Sequence, residues 1–283
     1  MAKAKETSIA TEATQNEILR SNLPLMYSDL ESCQKSLEGY LEQKRNKFPR
    51  FYFCSNPVLL QILSQGSDPE SMQQFYEKVF DSIQVVVHDK KDKTIIHTMK
   101  SRMAGKEEVI NFSQPVYARG NVEEWLKGLL GEMRKTMKDW GRMCAEEIFD
   151  VSIGQSLRDF VDKHNGQFSL LGIQLLWTQD QTDAMEVCLR NKNAMRDVNK
   201  KALDVLQCMS RWTLDATLAK MDRKKIETLI TIQVHQKDVT QDLFELYKSK
   251  QIKNSNNFDW LKQARFYWRP DGDPDIVDDD GCM

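Results

Sequence analysis

Apolar side chains at helical spacing run through most of this chain. Between residues 23 and 41 they recur every three or four positions. This spacing predicts an amphipathic helix that ends before Pro49, because proline disfavours the helical conformation in the residue before it. The same spacing predicts further helices, several of them with a polar residue or proline at the start, over residues 56–66, 68–83, 121–148, 170–189, 198–221 and 223–248.

The pattern changes between residues 84 and 112. Short runs rich in β-branched residues are separated there by polar turns, which is typical of a small antiparallel sheet or meander. Strands and helices do not alternate along the chain, so a doubly wound nucleotide-binding fold is not indicated. The sequence therefore predicts a mainly α protein, an elongated helical-bundle rod with a small antiparallel β insert at about residues 84–112.

Composition narrows the class of protein. With 40 basic and 42 acidic residues among 283, the net charge is −2, whereas a dedicated nucleic-acid binder carries a clear basic excess. No apolar run approaches the roughly 20 residues of a membrane-spanning helix, and the first residues lack the apolar core of a secretory signal. The six cysteines are scattered without a Cys-x-x-Cys pair, which favours reduced thiols in an intracellular protein. We therefore expect neither a nucleic-acid nor a membrane partner.

Sequence motifs for catalysis or cofactor binding are missing. The chain has no phosphate loop, no Gly-x-Gly-x-x-Gly and no Gly-x-Ser-x-Gly motif. His88 and His97 can face each other across the predicted strands, but two ligands are too few for a metal. Cys144 and Cys188 lie on apolar helix faces, where packing is the usual role. The Asp-rich residues 269–283 lack the order of a calcium loop and predict an acidic tail. We expect no catalytic, cofactor-binding or metal site.

Two aromatic clusters remain to be explained. Phe51, Tyr52 and Phe53 are consecutive, and a second cluster occupies residues 260–268. In a buried extended segment, Phe51 and Phe53 would face one way and Tyr52 the other. Packing is the commonest use of such clusters, although stacking on single-stranded bases and a docking surface for another protein stay open.

We therefore predict a set of packing nodes, meaning aromatic side chains that fix helix ends against one another. They are Phe51, Tyr52, Phe53, Trp125, Trp177, Trp260, Phe266 and Trp268. Arg50 and Arg265 are expected to stack on these rings or to flank them.

Several segments together resemble the linker region of dynein heavy chains. They are CQKSLEGYLEQKRNKFPRFYFCSNPVLLQILSQGSDP (33–69), ARGNVEEWL (118–126), LLGIQLLWTQD (170–180), IETLITIQVHQKDV (226–239) and FDWLKQARFYW (258–268). They occur in the order and with the spacing of that family, and they cover about residues 23–268. The forms LLGIQLLWT and ETLITIQVHQKDV are more similar to axonemal outer-arm chains than to cytoplasmic ones.

The resemblance implies a mechanical element. The linker of this family is a mostly helical rod that lies across a ring of AAA modules and bends and straightens as the ring binds and hydrolyses ATP. Residues 23–268 would be its ring-proximal part, followed by the acidic tail at 269–283. Residues 1–22 depart from the family pattern, and we expect them to form a disordered lead-in. We expect a hinge near residues 118–122.

The resemblance also implies partners and a location. The partners would be the AAA ring and other dynein subunits, with microtubules reached only indirectly, in the cytoplasm and cytoskeleton and in the axoneme of a cilium or flagellum. The family continues after the position of Trp268 into strands and a phosphate loop, whereas an acidic run stands here. We therefore expect no ATP hydrolysis by this chain, with ATP and Mg bound only in the ring. A standalone linker-fold protein that binds dynein subunits, or an enzyme with an unrecognised site, are the alternatives.

Overall fold

The computed structural model of this protein describes residues 9–13, 15, 17–66, 68–81, 83–101 and 108–269. Helices dominate the described residues, and the small antiparallel sheet has three strands in the order β1-β2-β3. The prediction of a mainly α protein with a small β insert is therefore confirmed. Nearly all of the predicted acidic tail, and residues 1–8 of the predicted lead-in, lie outside the described residues.

The described elements follow one another in this order. The helices are α1 (Ala10–Ala13), α2 (Glu17–Lys47), α3 (Asn56–Gln65), α4 (Tyr76–Val79), α5 (Val122–Ile148), α6 (Gln155–Lys163), α7 (Gly166–Val187), α8 (Ala194–Trp212), α9 (Lys220–Lys248) and α10 (Phe258–Leu261). The strands are β1 (Ile83–His88), β2 (Ile95–Ser101) and β3 (Val109–Tyr117), and 3₁₀ turns lie at Pro49–Phe53 and Ser71–Phe75.

The chain divides into two compact units. Unit 1 contains Met1–Met99 and Gln114–Gly131, and unit 2 contains Lys100–Ser113 and Glu132–Met283. The chain passes from one unit to the other within β2, β3 and α5, so each of these elements contributes residues to both units.

Helix α2 is longer and more exposed than its sequence pattern predicts. It begins at Glu17, so residues 17–22 are helical, which corrects the expectation of disorder there. The side chains described between residues 17 and 40 are exposed, and Leu41 is the first buried one. The predicted helix is therefore confirmed, but most of its apolar face is exposed.

The ends of α2 and α3 follow local backbone preferences. Helix α2 ends at Lys47, and Phe48 has an extended backbone (φ −136°, ψ 93°), as a residue before proline prefers. Helix α3 begins at Asn56, one residue earlier than a cap at Asn56 would require, because Ser55 holds the N-cap position. The predicted boundary before Pro49 is confirmed, whereas Asn56, which the sequence offers as a polar cap for α3, is already the first helical residue.

The core of unit 1 follows the predicted apolar spacing. The side chains predicted to share one face between residues 68 and 83 are all buried: Met72, Phe75, Tyr76, Val79, Phe80 and Ile83. The single helix predicted there is wrong, because the segment forms the 3₁₀ turn Ser71–Phe75 and the short helix α4, and Ile83 already begins β1. Gly66 permits a close approach to α5, because a Cβ there would lie 2.6 Å from the Cβ of Val122. Trp125 is buried beside it, and its indole Nε1 donates to the Gly66 carbonyl at 3.4 Å.

The sheet is a meander, and side chains hydrogen-bond to the backbone of its first turn and of its edge strand β1. The Asp89 carboxylate accepts hydrogen bonds from the backbone N–H of Lys91 and Asp92 in the turn after β1. The Gln73 amide bonds both the N–H and the carbonyl of Val86, so a side chain occupies that part of the edge of β1. Strand β3 continues to residue 117, beyond the predicted end at residue 112.

Unit 2 is built on α7, α8 and α9, with α8 packed on both of its neighbours. Helix α6 was not predicted, although Leu157, Phe160 and Val161 on its inner face are buried. Helix α8 ends at Trp212 and not at residue 221, because Asp215 begins a turn there in which its carboxylate accepts from the Thr217 N–H at 2.9 Å.

Candidate functional site

The first aromatic cluster forms a 3₁₀ turn over Pro49–Phe53, so the expected extended segment is wrong. Successive residues of a 3₁₀ turn point in three directions, and only one of the three rings faces the core. Phe51 is fully buried and meets the ring of Phe48 edge to face, with centroids 5.0 Å apart. Tyr52 and Phe53 are 54% and 74% exposed, so within the described residues they do not serve as packing nodes.

Arg50 and Tyr52 of this 3₁₀ turn make polar contacts with neighbouring elements. The Arg50 guanidinium lies 5.1 Å from the centre of the Phe80 ring and donates to the Val79 carbonyl at 3.3 Å. The expectation that Arg50 flanks a ring is therefore confirmed. The Tyr52 hydroxyl donates to the Glu42 carboxylate, and this hydrogen bond raises the pKa of Tyr52.

A buried carboxylate joins α2 to α5 within unit 1. Glu123 lies in the first turn of α5, and its side chain is only 1% exposed. Its carboxylate lies 2.6 Å from the Lys44 ammonium and 3.5 Å from that of Lys47, both in the last turn of α2. An acid at a helix N-terminus and bases at a helix C-terminus also match the two helix dipoles. We call this group the Glu123 ion pair.

The electrostatics of the Glu123 ion pair favour charge on both sides. Burial by itself would raise the pKa of Glu123, but the hydrogen bond from Lys44, a backbone N–H and the charges of Lys44 and Lys47 outweigh it and lower the pKa. The hydrogen bond to Glu123 in turn raises the pKa of Lys44 against the effect of its desolvation. The pair therefore stays ionised at neutral pH. It directly follows residues 118–122, where a hinge is predicted.

The second aromatic cluster lies in unit 2, and its centre is an indole pair. The rings of Trp177 and Trp260 meet edge to face with centroids 5.1 Å apart, and both side chains are buried. Trp177 on α7 also donates its Nε1–H to the Thr240 hydroxyl of α9 at 2.9 Å. The pair therefore connects α7, α9 and α10.

The residues after α10 form the rim of this cluster. The backbone N–H of Phe266 donates to the Thr178 hydroxyl at 3.2 Å, while its ring is 38% exposed. Trp268 is half-buried against the core of unit 2. The Arg265 guanidinium lies 5.7 Å from the Trp260 ring centre and 5.6 Å from that of Tyr267, as expected for a flanking arginine.

The candidate reactive groups occupy structural positions. The Cys144 thiol donates to the Phe168 carbonyl at 3.1 Å, and burial raises its pKa to about 11, which keeps it protonated. Burial also raises the pKa of Cys188. His97 lies 3.4 Å from the Asp89 carboxylate. Over residues 9–101 and 108–269, apart from the few positions not described, no cluster of three or more His, Cys, Asp or Glu side chains suits a metal ion.

The residues of the Glu123 ion pair were not predicted as a site. A signal was present, because α2 ends with basic residues and α5 begins with acidic ones. Such charges are common at helix ends and are usually solvated, so the sequence alone does not distinguish a buried pair from two exposed ones.

One family model matches this chain, and its description is dynein heavy chain, N-terminal region 2. The match covers residues 1–144 of the 283. The chain belongs to the dynein heavy chain family. The resemblance seen in the sequence is thereby confirmed, and the match includes residues 1–22, which the sequence pattern separates as divergent.

Relatives among the dynein heavy chains extend the likeness beyond residue 144. Dynein axonemal heavy chain 5 of Rattus norvegicus is 40% identical over 263 residues, covering 93% of this chain and 7% of the relative. The dynein gamma chain of the flagellar outer arm of Chlamydomonas reinhardtii is also 40% identical over 263 residues, covering 93% and 6%. Dynein axonemal heavy chain 2 of Homo sapiens is 33% identical over 287 residues, covering 98% and 6%. This chain therefore spans a small part of the length of these relatives.

The family model covers only some of the candidate sites. The region matched by the family model includes the first aromatic cluster and the Glu123 ion pair, and it ends inside α5. The Trp177–Trp260 pair lies beyond that region. Among the described helices, none is both long and apolar enough to cross a membrane.

Proposed function

We propose that this chain is a mechanical linker element of an axonemal dynein heavy chain. It would couple ATP-driven changes in an AAA ring to microtubule-based movement in cilia or flagella. The observation that carries the proposal is the 40% identity to axonemal heavy chains over 93% of the chain.

The geometry of each unit supports a load-bearing role. A mechanical element must resist separation of its helices, and each unit has a buried contact between helices far apart in sequence. In unit 1 this contact is Glu123 with Lys44, and in unit 2 it is Trp177 with Trp260. We propose that these contacts resist strain while the chemistry takes place elsewhere.

The proposal assigns no catalysis to this chain. ATP and Mg would bind in the AAA ring, and the partners would be that ring and other dynein subunits, with microtubules reached only through them. The chain would reside with the cytoskeleton in the axoneme of a cilium or flagellum. The buried, protonated thiol of Cys144 fits this assignment, because a nucleophilic cysteine needs a lowered pKa.

A second candidate function is a standalone linker-fold protein that binds dynein subunits. It is favoured by the exposed apolar side chains of α2, which include Leu23, Met26, Tyr27 and Leu30, each at least 56% exposed. An exposed apolar face of this size is typical of an interaction surface.

A charge exchange in the complete dynein complex tests the proposed function. We expect Glu123→Lys to slow microtubule gliding by the purified complex while its ATP turnover in solution changes little, because the joint is weakened and the ring is not. Lys44→Glu combined with Glu123→Lys should recover most of the gliding speed.

The competing outcomes are distinct. Gliding that is unaffected by Glu123→Lys, or absence of the chain from dynein extracted from axonemes, contradicts the mechanical assignment. A separate polypeptide of this length that co-purifies with complete heavy chains favours the standalone interaction protein. ATP turnover by the purified chain contradicts both.

A further inference from the structure

Helix α2 carries an exposed apolar seam within unit 1. Along it, apolar side chains recur at alternating intervals of three and four residues, and each of them is exposed: Leu23, Met26, Leu30, Cys33, Leu37 and Tyr40. A strict repeat of this kind has a period of 3.5 residues, whereas a helix that packs on a globular core carries a wider apolar stripe with a period of 3.6. We call these six residues the α2 seam. Its period is typical of a helix that pairs with another helix.

The α2 seam is complementary to itself when two copies run antiparallel. In that orientation, the first apolar position of each heptad on one helix faces the fourth position of a heptad on the other. A single register, centred between residues 31 and 32, satisfies every layer of the seam. The facing pairs are Leu23 with Tyr40, Met26 with Leu37, and Leu30 with Cys33. Each pair occurs twice by symmetry, so every residue of the seam meets an apolar side chain of the second copy.

The charges at the two ends of α2 favour the same orientation. The first turn carries Glu17, and the last turn carries Lys44, Arg45 and Lys47. The antiparallel register places Glu17 of one copy at the level of Arg45 and Lys47 of the other, whereas a parallel pair places the bases of both copies side by side. The Lys47 side chain lies 3.5 Å from Glu123 but is still 57% exposed, so a second carboxylate can reach it. Opposed helix dipoles also favour the antiparallel pair.

The exposed length of α2 suits a dimer of this kind. The side chains described between residues 17 and 40 are exposed, and Leu41 is the first one buried in unit 1. Two copies can therefore overlap along the seam while their buried cores lie at opposite ends of it. A largely exposed apolar side chain removes on the order of 100 Å² from water when it is buried. The seams of two copies together approach about 1,000 Å², the lower limit of a specific interface, so we expect a reversible dimer.

We propose that two copies of this chain pair antiparallel through the α2 seam. The dissociation constant should be on the order of 10 μM, as an interface of this size allows. Pairing removes the apolar face of α2 from water and assigns it to a second copy of the chain. This inference uses only residues of unit 1 and does not rest on the proposed mechanical role.

Sedimentation of the full chain from about 1 to about 100 μM tests this proposal, because the dimer fraction rises with concentration by mass action. Leu30→Glu places a charge in both central layers of the seam and should weaken dimerisation about a hundredfold. The matched control is Leu25→Glu on the same helix. Leu25 is 65% exposed against 67% for Leu30, but it lies off the seam, so this change should alter dimerisation less than about twofold. Circular dichroism checks that both variants are folded.

Disulfide trapping tests the orientation. Copies that carry Leu23→Cys are mixed with copies that carry Tyr40→Cys, and both also carry Cys33→Ser. We expect mild oxidation to join position 23 of one copy to position 40 of the other, with the joined peptides identified by mass spectrometry. A parallel pair instead joins position 23 to position 23, and this product would overturn the proposed register.

Three further results overturn the proposal. One is a chain that stays monomeric at about 100 μM. Another is equal weakening of the dimer by Leu30→Glu and Leu25→Glu, because the seam would then have no special part in it. The third is a monomer that binds a helix of another dynein subunit through Leu30, because the face would then belong to a different partner.

Discussion

The two units hold distant helices together by different chemistry. In unit 1, α2 meets α5 through the charges of Lys44 and Glu123, which are 2.6 Å apart and largely removed from water. In unit 2, α7 and α10 meet through the rings of Trp177 and Trp260. A contact of charges depends on both partners and on pH, whereas a contact of rings depends on shape and on buried area.

The ion pair and the indole pair respond differently to substitution. A buried ion pair can be exchanged for apolar side chains of similar volume at little cost, although removing one partner alone is costly. A buried indole has no such substitute, because its loss leaves a cavity that the surrounding helices fill only in part. The free energies of unfolding of matched variants therefore separate the two units.

The largest effect is expected at the indole pair. Trp260 is fully buried, so Trp260→Ala should lower the free energy of unfolding by about 4 kcal/mol through lost burial and a new cavity. Urea unfolding followed by circular dichroism measures this loss. Phe258→Ala is the control in the same helix, because Phe258 is 74% exposed and its truncation should cost less than about 0.5 kcal/mol. Equal losses for the two variants would contradict the assignment of Trp260 as a packing node.

The first aromatic cluster allows a comparison of neighbouring residues. Phe51→Ala should cost about 3 kcal/mol, because the ring is fully buried against Phe48. Phe53→Ala should cost less than about 0.5 kcal/mol, because that ring is 74% exposed. Thermal unfolding of both variants measures these losses. Comparable destabilisation by the two would favour the extended segment over the 3₁₀ turn.

A smaller effect is expected at the Glu123 ion pair. Glu123→Gln leaves Lys44 without its counter-charge, but the Lys44 side chain keeps 16% exposure, so we expect a loss of about 2 kcal/mol. The double variant Lys44→Met with Glu123→Leu should regain more than half of this loss in urea unfolding. If the losses of the single changes simply add in the double variant, the two side chains do not act as a pair.

The smallest effect is a dependence on pH. The pKa of Glu123 is lowered from 4.5 in the folded chain, so the pair contributes fully above pH 4.5, where the carboxyl is ionised in both states. As the pH falls through the lower folded pKa, the carboxyl is protonated and the contribution is lost. The difference in unfolding free energy between the native chain and Glu123→Gln should therefore shrink on acidification. A difference that is the same at about pH 7 and about pH 3 would contradict this linkage.

Several features of the fold could be predicted because they depend on local spacing. The apolar positions between residues 68 and 83 recur at helical intervals, and all of those predicted to share a face are buried. The end of α2 before Pro49 follows from the geometry of a proline ring. Helix α6 was missed because it has only nine residues, which is too short for its apolar period to stand out.

The candidate sites were only partly predictable, because burial depends on partners distant in sequence. Phe51, Tyr52 and Phe53 are all large aromatic residues, so the sequence does not show which of them is buried. Only the 3₁₀ turn and the neighbouring Phe48 make Phe51 the buried one. The charge of Glu123 at a helix start was visible, but its partner was not, since Lys44 lies 79 residues away.

By itself, the sequence determined the helical and strand periods, the family of the chain and the identity of the aromatic residues. Each of these depends only on which residues are present and on their order along the chain. Only the tertiary structure decided which aromatic rings are buried and that a carboxylate joins α2 to α5. The physical reason is that the free energy of a ring or a charge depends on the atoms around it, and those atoms come from residues that folding brings together.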